Sequence, residues 1–175
     1  MRILKPGTVA LAATLAATSV AAVDLPRRKP GLWEIQTEMS VMGGQRMTMR
    51  QCIDEKTDAN LMAEATKNQG DCDEPVITRS GNRIEVRALC HVEGGTASTH
   101  GVFTGEYDSR YQGEILTTFD PPQHGMKEAR MKIDGRWTGP CEAGQKPGAT
   151  TMQIPGLGNI DVGEMMKKMP GMQGR

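Results

Sequence analysis

Aromatic side chains are scarce in this chain. Trp33, Phe103, Tyr107, Tyr111, Phe119 and Trp137 are the whole set, and none lies beyond Trp137. A core so poor in large side chains buries little area per residue, so covalent cross-links gain value. An excess of positive charge is also missing. Losing Arg2 and Lys5 with a leader takes the 21 basic residues to 19, against 21 acidic ones. That balance argues against a nucleic-acid partner, since phosphate neutralisation needs a concentrated basic surface. Cys-x-x-Cys, Cys-x-x-Cys-His and Gly-x-Ser-x-Gly are all absent. Their absence argues against a zinc knuckle, a c-type haem attachment and a nucleophile elbow. No apolar run reaches the roughly twenty residues that a bilayer requires.

One shorter apolar run is present, at the start. Met1 to Lys5 is basic, Thr8 to Val20 carries no charge, and Val20-Ala21-Ala22 presents small residues where a signal peptidase reads. Residues 1–22 are therefore expected to be a signal peptide cleaved near Ala22. No cysteine follows the run, which argues against a lipid anchor, so the mature chain is expected to be periplasmic or secreted in a bacterium. Cys52, Cys72, Cys90 and Cys141 all fall in that mature chain. An even count in an exported protein reads as two disulfides.

Alternation with period two runs from residue 32 to residue 137. Trp33, Ile35, Thr37, Met39 and Val41 share one face, and Glu34, Gln36, Glu38 and Ser40 the other. A three-residue loop, Gly43-Gly44-Gln45, is expected to pair Val41 with Met47 and Met39 with Met49. Ser80-Gly81-Asn82 is expected to pair Thr78 with Ile84, Val76 with Val86 and Cys72 with Cys90. Cysteines opposed across a hairpin are close enough to bond, which leaves Cys52 for Cys141. A third turn at Asp108-Ser109-Arg110 is expected to pair Tyr107 with Tyr111, Gly105 with Gly113, and Phe103 with Ile115. A looser connection, residues 120–125, leads to a last strand with Ala129, Met131, Ile133 and Trp137 facing inward. Between Cys52 and Cys72 the sequence favours a short helix over Ala59 to Lys67, capped by Thr57 or Asp58 and ended by Gly70.

The expected fold is all-β: a curled antiparallel meander of about seven strands with one short helix, stapled by disulfides. Each strand has one wet face, and a single helix is too small to cover the other. The sheet is therefore expected to close into a barrel or half-barrel. Gly101, Gly105 and Gly113 on the inner face either bend the strands or leave room for a ligand. The β domain is expected to occupy residues 23–141. Residues 142–175, rich in Gly, Pro and Met, read as a flexible tail with one helical turn near 162–169.

Catalytic chemistry finds no foothold. His91 and His100 fall on the wet faces of their strands, and His124 sits beside two prolines in a connection. Glu106, Asp108 and Glu114 surround a turn with no calcium-loop spacing. No nucleophile, base and orienting acid can be assembled, so the chain is expected not to be an enzyme and to need no cofactor.

Several short motifs together resemble a family of exported bacterial proteins, DUF3617, classed as a domain of unknown function. They are Pro30-Gly31-Leu32-Trp33-Glu34, Gln51-Cys52, the Cys72–Cys90 hairpin, the Gly/Thr-rich stretch 101–118 and Gly135-Arg136-Trp137-Thr138-Gly139-Pro140-Cys141. The resemblance covers residues 30–141. It implies an envelope protein with paired cysteines and supplies no catalytic residues.

The expected function is binding of an apolar ligand or an envelope partner in the concavity of the sheet. Trp33, Met47, Met49, Phe103 and Tyr107 are candidates to line it, with Tyr111, Ile115, Met131 and Trp137. The same residues read equally well as packed core. The alternative is Cu(I) handling by soft thioethers, with Met152, Met165, Met166, Met169 and Met172 of the tail as candidate ligands.

Overall fold

The computed structural model describes residues 25–59, 71–154 and 158–168. The expected signal peptide lies outside them. Nine strands are present among the described residues: β1 (Gly31–Met39), β2 (Gln45–Ile53), β3 (Val76–Ser80), β4 (Arg83–Val92), β5 (Gly95–Glu106), β6 (Arg110–Gln123), β7 (Met126–Gly139), β8 (Thr150–Ile154) and β9 (Gly158–Asp161). They form one antiparallel sheet in the order β3-β4-β5-β6-β7-β1-β2-β8-β9. Strands β3 to β7 are a meander. The N-terminal hairpin adds to its far side through β1 and β7, and β8–β9 adds to β2. A helical stretch at residues 55–59 (α1) and a second helix, α2 (Val162–Lys168), accompany the sheet. No helix among the described residues is long and apolar enough to cross a membrane.

The sheet is not a barrel or half-barrel. It stays open, with β3 and β9 at its two ends. On the apolar face, rings lie over glycines of neighbouring strands. Phe103 lies across Gly113, where a Cβ would come within 2.6 Å of its Cδ1, and the Tyr111 ring overlies Gly135 in the same way. Gly101 sits beside Phe103 and Ile115. Gly113 and Gly135 thus make room for a ring from the neighbouring strand, whereas Gly105, at φ 142°, lies directly against the backbone of Arg110 and Tyr111. The expected seven strands become nine because Thr150–Ile154 and Gly158–Asp161 extend the sheet past Cys141.

The turns hold further corrections. In the first hairpin Thr37 opposes Met47 and Ile35 opposes Met49. Ser40–Met42 forms a 3-10 turn, and Gly43 and Gly44 follow at φ 67° and 74°. The Ser40 hydroxyl accepts a bond from the Arg130 amide at 2.9 Å, which fastens this turn to β7. In the third hairpin Phe103 opposes Gly113 and Gly101 opposes Ile115, with Tyr107 released into the turn. Both shifts are by an even number of residues, so the side chains that remain in strands keep their expected faces, whereas Val41, expected opposite Met47, lies in the 3-10 turn and is 51% exposed.

The second hairpin is displaced by one instead. Ser80 opposes Arg83 and Ile77 opposes Val86, across a two-residue Gly81-Asn82 turn with Gly81 at φ 61°. Ile77 therefore takes the face expected for Val76, which is 62% exposed. The Cys72–Cys90 pairing survives because the register slips again between residues 72 and 76. Residues 120–125 are no loose connection. β6 continues to Gln123, and His124 and Gly125 make a tight turn at φ 50° and 80°.

Both expected disulfides form, Cys52–Cys141 and Cys72–Cys90, with Cα–Cα distances of 5.4 and 3.8 Å. They place the chain in an oxidising, extracytoplasmic compartment. Helix α1 starts earlier than expected, because Asp54 caps it. The Asp54 carboxylate accepts from the Thr57 amide at 2.7 Å, and the Thr57 hydroxyl accepts from the Asp54 amide at 2.8 Å. The rest of the expected helix and its Gly70 stop lie outside the described residues.

Candidate functional site

The sheet has two chemically opposite faces, and strand register decides what each contains. On the apolar face Trp33 opposes Trp137, Ile35 opposes Gly135, and Gly135 opposes Tyr111. Trp33, Ile35 and Ile53 are buried there, with Met49, Tyr111, Ile133 and Trp137 packed against them. The chain's own N-terminal segment closes this end. Trp33 Nε1 donates to the Lys29 carbonyl at 2.8 Å, and Trp137 Nε1 to the Pro30 carbonyl at 3.1 Å. The Lys29 ammonium lies 3.8 Å from the centre of the Trp137 ring.

Behind these rings the Arg28 guanidinium meets Asp58 of α1 at 2.7 Å, and their side chains are only 10% and 2% exposed. The Arg28 amide also donates to Asp58, so the buried carboxylate has the partners that such burial requires. Tyr111 stacks on Tyr107 and packs against Trp33, with 5.6 Å between ring centres in each pair. Burial pushes the phenol of Tyr111 above its ordinary pKa, partly opposed by nearby Arg28. Burial likewise raises Tyr107, followed by the influence of Tyr111. The Tyr107 hydroxyl is enclosed without a hydrogen-bond partner among the described residues.

The nine residues expected to line a binding concavity therefore divide. Trp33, Tyr107, Tyr111 and Trp137 form an aromatic end closed by residues 28–30 and α1. Met47, Met49, Phe103, Ile115 and Met131 continue along the same face, each only partly buried. Ile84, opposite Phe103, marks the far side. The sequence does not single out Ile133 or Ile84 as site residues, because their neighbours become known only through register.

The hollow of about 690 Å³ belongs to the other face. Glu34, Glu38, Arg46, Arg110, Lys132, Asp134 and Arg136 line it. Opposite charges meet across the strands: Arg110 with Asp134 at 2.6 Å, Arg136 with Glu34 at 3.3 Å, and Arg46 with Glu38 at 3.0 Å. The Arg110 hydrogen bond is the main reason Asp134 sits below the usual carboxylate pKa. Such matched cross-strand pairs make a solvated, self-neutralising surface, with no field of one sign to recruit a charged ligand. Period-two alternation announces this polar face, but the matching of charges needs the register.

The remaining candidates stay dispersed. His100 pairs with Glu85 at 2.8 Å, and His91 lies 3.8 Å from Asp73, all at the surface. Glu85 is held below its ordinary pKa mainly by Arg87. Among the described residues neither histidine bonds a hydroxyl nucleophile, and no group of three or more His, Cys, Asp or Glu could hold a metal ion. Glu106 ends β5, Asp108 sits in the following turn, and Glu114 points into the charged hollow. Of the tail methionines, Met152 enters β8 directly opposite Met49. Met165 and Met166 fall in α2, and Met169 and Met172 lie outside the described residues.

A family model described as a protein of unknown function, DUF3617, matches residues 28–141. The chain belongs to that family. No curated protein and no solved structure matches it.

Proposed function

We propose that this DUF3617 member is a non-enzymatic protein of the bacterial envelope, exported by the leader at residues 1–22. Its role is to hold an apolar ligand, or the apolar surface of an envelope partner, against the open stretch of its sheet. The observation that carries the reading is the contrast along one face. Trp33, Ile35 and Ile53 are buried at the aromatic end, whereas Phe103, Ile115, Met131 and Met47 remain partly exposed on the same face. A contiguous apolar surface of this kind commonly marks an interaction site. The charged face is an unsuitable competitor, since its ion pairs are already satisfied internally.

Native mass spectrometry of protein purified from the periplasm without detergent tests this. The expected result is a lipid-sized added mass, or a co-purifying envelope protein, lost in Ile115→Ala with little change in stability. A bare chain whose Ile115→Ala variant loses about 2–5 kcal/mol would instead identify this stretch as ordinary core and overturn the proposal.

A further inference from the structure

We propose that Met47, Met49 and Met152, with Met39 and Met131 adjoining them, form a thioether site for a soft monovalent cation, Cu(I) being the one an envelope protein can meet. The inference rests on the strand register and stands independently of the apolar-ligand reading. Met39 opposes Met131 across β1 and β7, and Met49 opposes Met152 across β2 and β8. Met47 lies two residues from Met49 on the same face of β2 and opposite Thr37, diagonal to Met39. Directly opposed residues have Cβ atoms roughly 4.5–5.5 Å apart, and diagonal ones remain within reach of long side chains. Four adjacent strands thus bring five thioethers, from parts of the chain as distant as residues 39 and 152, onto one patch.

The surroundings select for softness. On this face the positions next to or between the methionines in β1, β2, β7 and β8 include Ile35, Thr37, Gln45, Gln51, Ala129, Ile133 and Thr150. No carboxylate or imidazole is among them to favour a hard or borderline ion. The thiols are unavailable as well, since no described cysteine is free. Methionine also serves as flexible filler in buried cores. Here, however, the buried apolar residues are Leu32, Trp33, Ile35, Cys52, Ile53, Ile84 and Ala97. All five methionines of the patch are only partly buried; Met49 packs against the core cluster on one side, and Met39, Met47, Met131 and Met152 do not belong to that cluster. The arrangement also shifts the ligand set away from the tail, of which only Met152 reaches the patch.

The test is a titration of the disulfide-bonded chain with Ag(I), a soft monovalent ion that needs no reductant and so spares the bridges. Methionine ε-methyl resonances report the contacts. One ion per chain is expected, with saturable shifts at Met47, Met49 and Met152. Met47→Leu/Met49→Leu, which keeps size and apolarity, should weaken binding about tenfold or more, while Met165→Leu leaves it unchanged. Absence of a saturable shift, or shifts confined to Met165, Met166, Met169 and Met172, would overturn the site. So would unaltered affinity in a folded double variant. If the double variant does not fold, the pattern of shifts in the unaltered chain decides alone.

Discussion

Removing the Cys52–Cys141 bridge should cost this protein more than removing Cys72–Cys90, by an amount that the two loop lengths set. The bridges close separations of 89 and 18 residues. On the chain-entropy model those separations correspond to about 4.6 and about 3.2 kcal/mol. The short loop lies inside the long one and already shortens it by 18 of its 89 residues. Removing Cys52–Cys141 then costs about 4.4 kcal/mol and removing Cys72–Cys90 about 3.0 kcal/mol, so the two variants should differ by about 1.4 kcal/mol. The native state around Cys52 has other supports, because its amide donates to the Ala149 carbonyl and its carbonyl accepts from the Gly148 amide. Cys52→Ala/Cys141→Ala should therefore keep the fold while its unfolded chain gains freedom. At roughly 2–4 °C per kcal/mol for a chain of this size, its Tm should fall by roughly 9–18 °C. Urea denaturation of both double variants, compared at zero denaturant, reads the difference directly. A long-loop variant no less stable than Cys72→Ala/Cys90→Ala would refute the loop-entropy reasoning.

Two further outcomes follow from the rings on the apolar face. Gly113→Ala should destabilise by about 1–3 kcal/mol, because the new methyl meets the Phe103 ring; urea denaturation of Gly113→Ala/Phe103→Ala should show the two changes costing less together than their sum, and strict additivity would rule out the contact. The chain's two tyrosines, Tyr107 and Tyr111, both have phenols raised above 10.0, chiefly by burial. A raised folded pKa contributes stability that is present below the unfolded value and lost as pH climbs through the folded one. Stability should accordingly decline above about pH 10, and the phenolate absorbance of the native protein should rise at higher pH than that of the urea-unfolded chain. Coincident titrations would contradict the burial.

Much of the architecture is legible before any coordinates. Period-two alternation places Trp33, Ile35, Met47, Met49, Phe103, Ile115, Met131 and Ile133 on one face, and every one of them lies there. The cysteine pairing is legible too, since even a slipped second hairpin leaves Cys72 against Cys90. The site is less legible. Nothing local announces that Trp33 and Trp137 spend their N–H groups on the backbone of Lys29 and Pro30. The burial of Asp58 against Arg28 is equally hidden, since the sequence offers Asp58 only as a candidate helix cap.

The amino-acid sequence by itself determines which residues share a face, because a strand's side chains alternate whatever it pairs with. It also determines the cross-links, and it indicates a protein built for an oxidising compartment. Only the tertiary structure decides register within those faces, because a shift of two residues preserves the alternation and leaves no trace in it. Strand order is likewise a long-range choice: β1 pairs with β7, and β2 with β8, through backbone groups that every residue supplies equally. The packing of the Phe103 and Tyr111 rings over Gly113 and Gly135 of neighbouring strands is decided there too. That packing requires the register first, and with it come the aromatic end, the exposed apolar stretch and the gathering of five methionines.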